Sequence, residues 1–209
     1  MFIDFATLTD YQRYKLMASL IVPRPIALVT TLNPDGTVNA APFSMFNMMG
    51  EDPPIVMISV NRLHDGTLKD TSANILSTGE FVVHLVDEAI AEQMHGCGER
   101  LPPGESELAK VGLTAVPSTM VEPPRIAEAP VAFECTLWEK LETESRYVFI
   151  GRVLSLHARD GLIDTDAWRV RLQDYFPVAR FGASFYIRTR DRFSMEGSAK
   201  SSVTAIDEM

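Results

Sequence analysis

The sequence predicts a mainly β protein, an antiparallel barrel with a few α-helices on its outside. Three observations predict it. Apolar, branched runs recur between short turns. Helical segments are few and short. Strands and helices also do not alternate in the strict way that builds a doubly wound sheet.

The elements follow in order. Residues 9–20 read as a short helix, capped by Thr9 or Asp10, with Tyr14, Met17 and Ala18 on one face. It ends before Pro23-Arg24-Pro25. Ile26 to Leu32 is a strand, and Asn33-Pro34-Asp35-Gly36 is a tight turn. Val38 to Met48 reads as one returning strand, bulged or at an edge because of Pro42. After Pro53-Pro54, Ile55–Val60 is a buried strand. A helix begins near Asp70 and runs through Leu76, with Gly79 as its C-terminal cap. Phe81–Val86 is a strand and residues 87–95 are helical. Residues 96–130, rich in Gly, Pro and charge, read as a surface excursion with a helical piece near Ser106–Val111. Two long strands follow, one through Phe133, Cys135 and Leu137, the other from Tyr147 to His157, joined by Glu142-Thr143-Glu144-Ser145. A short helix is expected around Ala167–Tyr175. One domain spans residues 1–190, and 191–209 form a polar tail.

Bulk properties exclude several functions. The chain has 209 residues and a net charge of −9 with no basic cluster, so neither nucleic acid nor an anionic membrane surface is an expected partner. Cys97 and Cys135 form no CxxC motif, which argues against a disulfide-stapled domain and a structural zinc site. No apolar run approaches the ~20 residues of a membrane span. The N-terminus lacks a basic segment leading into an apolar one, so the expected location is the cytoplasm. His64, His84, His95 and His157 stand apart in sequence, without metal-ligand spacing. There is no GxSxG, no P-loop and no dinucleotide fingerprint.

Two segments carry binding chemistry. Ala40-Ala41-Pro42-Phe43-Ser44-Met45-Phe46-Asn47-Met48-Met49 mixes small residues, a proline that frees backbone groups, and the polar Ser44 and Asn47. That mixture suits a flat heteroaromatic ring with a polar edge; it also reads as a bulged barrel strand with satisfied polar groups. Lys69-Asp70-Thr71-Ser72-Ala73-Asn74 opens a helix with an ammonium, two hydroxyls and free amides, which suits a phosphate. The alternative there is Asp70 as a plain cap and Lys69 in solvent.

In their order, several segments resemble the flavin reductase-like family with the FMN-binding split-barrel fold. They are Arg24-Pro25-Ile26-Ala27-Leu28-Val29-Thr30, Asn39-Ala40-Ala41-Pro42-Phe43-Ser44-Met45-Phe46, Pro53-Pro54, Lys69-Asp70-Thr71 with Asn74, and Gly79-Glu80-Phe81-Val82-Val83. Pro123-Pro124-Arg125-Ile126, Phe133-Glu134-Cys135 and Pro177-Val178-Ala179-Arg180-Phe181-Gly182 complete the match. The resemblance implies a homodimer that binds FMN, with NADH or NADPH as donor. A hydride would pass to flavin N5 and the electrons onward to free flavin, an electron-accepting partner protein or another acceptor. It places cofactor contacts at Thr30, Ala41, Pro42, Phe43, Ser44, Phe46, Asn47, Met48, Lys69, Asp70, Thr71, Ser72, Asn74 and Arg180. Thr30 and Ser44 would bond ribityl or phosphate oxygens, Lys69 and Thr71 with Ser72 the phosphate. Arg180 and Tyr186 would stand near the open face of the ring. No acid or base side chain is required, because the cofactor carries the chemistry. His84 stands where similar proteins have Asn. Two alternatives share the cofactor, a flavin carrier or sensor without turnover and a pyridoxamine phosphate oxidase-like amine oxidase; the latter needs an extra basic cluster for its substrate phosphate, and none is evident, since Arg188, Arg190 and Arg192 lie close to the tail. A flavin-free interaction module is a third.

Overall fold

A computed structural model describes residues 1–99, 101 and 106–193. The elements run α1 (Asp10–Leu20), β1 (Arg24–Pro25), β2 (Ala27–Leu32), β3 (Val38–Phe43), β4 (Phe46–Glu51), β5 (Pro54–Asn61), α2 (Asp70–Thr78) and β6 (Glu80–Leu85). They continue with α3 (Ala91–Gly96), α4 (Glu107–Val111), β7 (Ala115–Val116), β8 (Arg125–Ile126), β9 (Val131–Glu142) and β10 (Arg146–Ala158). Four short strands complete the described chain, β11 (Ile163–Asp164), β12 (Arg169–Val170), β13 (Val178–Phe181) and β14 (Phe185–Arg188).

Seven strands form one antiparallel sheet in the order β3-β2-β6-β9-β10-β5-β4. Its two edge strands, β3 and β4, are consecutive in the chain and separated only by Ser44 and Met45. A flat seven-stranded sheet could not bring its edges that close, so the sheet curls until they meet. The Ser59 amide donates to the Met45 carbonyl at 2.8 Å, extending the β4–β5 pairing into this two-residue link. This is the split barrel.

The curl creates two cores. Inside lie Val29, Phe43, Phe46, Ile58, Phe81, Phe149 and their neighbours. Outside, Leu28, Val86, Met94, Leu108 and Ile126 pack under α3, α4 and the following loops. Val29 and Leu28 point to opposite faces of β2, and both are fully buried. The central strands are therefore apolar on both faces and read as continuous runs rather than as alternation. Gly151 shows how tight the inner core is: a Cβ there would come within 2.3 Å of the Phe81 ring.

Most expected elements are present. Thr9 caps α1 in a reciprocal pair with Gln12, and Gly79 ends α2 at φ 72°. Several readings need correction. The single strand Val38–Met48 is two strands, because the chain leaves β2 at Phe43 and joins β5 from Phe46. Of the expected α1 face only Ala18 is buried; Tyr14 and Met17 stay about half exposed. Residues 87–95 are a 3-10 turn (Glu88–Ile90) leading into α3. The excursion over 96–130 is more than surface, since Leu108, Leu113, Val121 and Ile126 are buried. The helix expected at Ala167–Tyr175 is the β11–β12 hairpin and one 3-10 turn, Leu172–Asp174. The sequence reading missed β13 and β14. Of the expected tail, 194–209 lies outside the described residues.

Candidate functional site

A cleft of about 690 Å³ opens where β3, α2 and the α3–α4 segment converge. Ala41, Pro42 and Phe43 of β3 form one wall, and Leu63 and Leu68 add apolar surface. Lys69, Asp70 and Thr71 bring the start of α2 to the other side. The N-cap residue of α2 is Lys69, and no side chain caps the helix. Its leading amides are left without intrahelical partners, facing a site for negative charge. Lys69 has no carboxylate partner among the described residues. Burial, and then the nearby Arg146 guanidinium, hold its ammonium below the usual lysine range.

A buried polar network sets the Thr71 hydroxyl. The Asn74 amide donates to Thr31 Oγ1 (2.9 Å) and Asn33 Oδ1 (2.8 Å). The Asn39 amide donates to Thr31 Oγ1 and Thr71 Oγ1, both at 3.0 Å. Thr71 thus accepts from inside the protein, and its own proton is free to be donated into the cleft. The acids around the cleft are mostly engaged. Glu107 accepts from the Ala40 amide (3.0 Å), Glu99 pairs with Lys110 (2.7 Å), and Asp35 accepts from Thr37. Asp70 is exposed. Cys97 also lines the cleft, but burial, and then Glu107, push its thiol up to about 12, so it is no nucleophile.

The expected site residues divide three ways. Ala41, Pro42, Phe43, Lys69, Asp70 and Thr71 line this cleft. Ser44, Arg180 and Tyr186 line an adjoining smaller cavity. Thr30, Phe46, Asn47, Met48, Ser72 and Asn74 line neither. Thr30 is fully buried and donates to the Pro124 carbonyl at 2.6 Å. Phe46 is inner core. Ser72 is buried, and Asn74 supports the wall from behind. Asn47 and Met48 are exposed on the outer edge strand β4. His84 does not face the cleft. Its Nδ1 meets the Leu28 carbonyl and its Nε2 accepts from the Ile126 amide, both at 2.9 Å. The sequence reading missed Asn39, Glu107 and Arg146. Asn39 stood inside a quoted motif, whereas Glu107 and Arg146 are brought in by topology alone. The arginines near the tail, which offered no clear basic cluster for an amine oxidase, are engaged: Arg190 pairs with Glu88 and Arg192 donates to the carbonyls of Leu172 and Tyr175.

An antiparallel sheet curled into a split barrel, with a helix N-terminus opening on an apolar strand wall, defines a class of ligand-binding barrels. Comparison with known proteins gives the family: residues 17–172 match the flavin reductase like domain, and the chain belongs to that family. It is 42% identical to the structure of Pseudomonas fluorescens 2-nitrobenzoate 2-nitroreductase NbaA, with a TM-score of 0.85 over 93% of this chain and 95% of the other. Nitrilotriacetate monooxygenase component B of Bacillus cereus is 33% identical, with a TM-score of 0.87 over 93% and 98%. A split-barrel-domain structure from Shewanella frigidimarina matches in fold, at 23% identity and a TM-score of 0.80 over 95% and 100%. The family and these structures support a flavin-related reductase role.

Proposed function

We propose that this protein binds FMN in the larger cleft and acts as an oxidoreductase, taking a hydride from NADH or NADPH and passing electrons to free flavin or another acceptor. One observation carries the reading. The uncapped start of α2, with Lys69 and the Thr71 hydroxyl, faces the same cleft as the Ala41–Phe43 wall. Phosphate and ring sites thus share one cleft, in a flavin reductase-like chain.

The residues present fit the cofactor. Lys69 supplies charge to a phosphate and Thr71 a hydroxyl proton, with helix amides completing the cradle. Ala41, Pro42 and Phe43 offer a flat apolar surface to the ring and keep water from it. When bound, FMN would supply the hydride acceptance and onward electron transfer. The protein's part is to bind, orient and shield; no side chain need move a proton. A single phosphate cradle favours FMN over a dinucleotide.

The implied homodimer accords with the exposed apolar side chains of Tyr11, Leu20, Ile21, Met48 and Met49. Asn47 and Met48 would then contribute to a site only through the second copy. A cytoplasmic location belongs to the same reading. The structures above at 42% and 33% identity carry different names, a 2-nitrobenzoate 2-nitroreductase and a nitrilotriacetate monooxygenase component, so the acceptor is left open in this reading.

The test is a visible absorption spectrum of the purified protein loaded with FMN, followed by NADH and NADPH in turn without oxygen. Bleaching of the flavin bands by either nucleotide is expected and identifies the donor. Bands that resist both would point to a carrier or an amine oxidase. No flavin uptake at all would end the proposal.

A further inference from the structure

Pro42, Phe43, Gly98 and Glu99 line the FMN cleft on one side and a second cavity of about 320 Å³ on the other. Ile26, Phe43 and Met94 give this cavity an apolar floor, while Arg24, Arg180 and Tyr186 bring polar groups to it. Its volume sits at the small end of the ~300–1,000 Å³ typical of ligand pockets, a size for one ring rather than for a dinucleotide.

The charge here is unbalanced. Arg24 and Arg180 stand directly opposite each other in the β1–β13 pair. Like charges in that relation repel. Neither guanidinium meets a carboxylate among the described residues. Acids are not scarce, since the chain carries 28 against 19 bases. Glu99, the acid lining this cavity, is engaged by Lys110. Arg24 gives its terminal nitrogens to the carbonyls of Ala18, Ile21 and Gly182, and its Nε is buried without a partner. Burial and Arg180 both disfavour its charged form. Arg180 donates to the Ala183 carbonyl and stacks over the Tyr186 ring at 4.6 Å, with further donors unused. Tyr186 is itself held by His95, whose Nδ1 lies 3.0 Å from the phenol oxygen. Two facing cations, pre-oriented and unneutralised beside an apolar pocket, form a receptor for an anion.

We propose that this cavity docks the carboxylate of a small single-ring acid, with Arg180 as the principal contact and the ring against the Phe43 side. This binding site does not rest on the FMN reading.

Calorimetric titration of the protein, with and without FMN, against benzoate and its neutral isostere benzamide tests the site. Benzoate should bind at least about 10-fold more tightly than benzamide, and Arg180→Gln should bring the two within about 2-fold. Arg180→Lys, which keeps the charge but loses the planar fork, should retain an intermediate preference. Thermal melting of each variant shows that it is folded. Equal affinity for benzoate and benzamide, or an undiminished preference in Arg180→Gln, would overturn the proposal. Inorganic phosphate binding more tightly than benzoate in an Arg180-dependent way would also overturn it, assigning the cations to a nucleotide phosphate. Benzoate selectivity in a protein that takes up no FMN would defeat the function proposed above and leave this site standing.

Discussion

Two buried polar networks lie on the same sheet and end differently. On the outer side, His84 is closed on backbone at both nitrogens, Leu28 on one and Ile126 on the other. Glu134, on the neighbouring strand, accepts from the amides of Thr119 and Met120 and from His157 at 2.6 Å. Burial raises the Glu134 pKa, but those amides and His157 outweigh it, and its carboxyl stays below the usual range. On the other side, Asn74, Thr31 and Asn39 form an equally buried chain that stops at the Thr71 hydroxyl in the cleft. A buried polar group that ends on backbone fixes the fold. One that ends at a cavity with a proton to give is set for a ligand. Substitutions should therefore separate stability from flavin affinity according to which network they touch.

The largest effect should come from His84→Ala, which leaves the Leu28 carbonyl and Ile126 amide unsatisfied beside a new void. A loss of about 3 kcal/mol is expected, or roughly 6–12 °C in Tm. FMN affinity of the folded fraction should be unchanged; a shared loss would break the distinction. Acid should act through the same residue. Burial holds His84 down to about 4, against ~6.5 in an unfolded chain. Between those values the unfolded state takes up the proton and the folded state does not. Stability therefore falls as pH drops from 6.5 to 4, by roughly 3 kcal/mol. Glu134 has the same sign, because its lowered pKa gives stability that acid removes. Urea unfolding at pH 7 and pH 4.5 measures the sum, and a flat profile would contradict the closed network.

The cleft side predicts the reverse. Lys69→Ala should weaken FMN binding about 10- to 100-fold, through loss of a charge-assisted contact, while Tm holds or rises as a desolvated cation is removed. Quenching of flavin fluorescence reads the first and a thermal melt the second. Thr71→Val is a finer probe. It removes the proton donated to the cleft and also leaves Asn39 one acceptor short, so affinity should drop about 5-fold with a stability loss of about 1 kcal/mol. A large stability loss with intact FMN binding would place Thr71 with His84.

The sequence showed much of this fold for a physical reason. Strands buried on both faces, such as Ala27–Leu32 and Phe81–Leu85, are mostly apolar, and Asn33–Gly36 and Gly79 supply turns that little else can make. The break at Ser44-Met45 was hidden because no glycine or asparagine marks it; the split arises from which strand each half pairs with. β13 and β14 were missed because each is four residues long and partly exposed. Lys69 and Thr71 do line a cleft together, at a helix start, which is a local signal in sequence. Thr30 and Asn74 were misread for the opposite reason. Sequence shows that a hydroxyl or amide is present, not that Pro124 or Thr31 already takes its hydrogen bond. Glu107 reaches the cleft, and Arg146 comes near Lys69, only through topology.

Glu99→Gln should have the smallest effect, and it marks where the comparison ends. Glu99 lies on the wall between the two cavities, yet it pairs with Lys110 in the open, both side chains about half exposed. An exposed pair of this kind, screened by solvent, contributes little. Its loss should leave Tm within about 2 °C and FMN affinity within about 2-fold. A larger gain in FMN affinity would show that the carboxylate's charge reaches the phosphate end despite Lys110. The electrostatics of the cleft would then be set by its whole rim, beyond the start of α2.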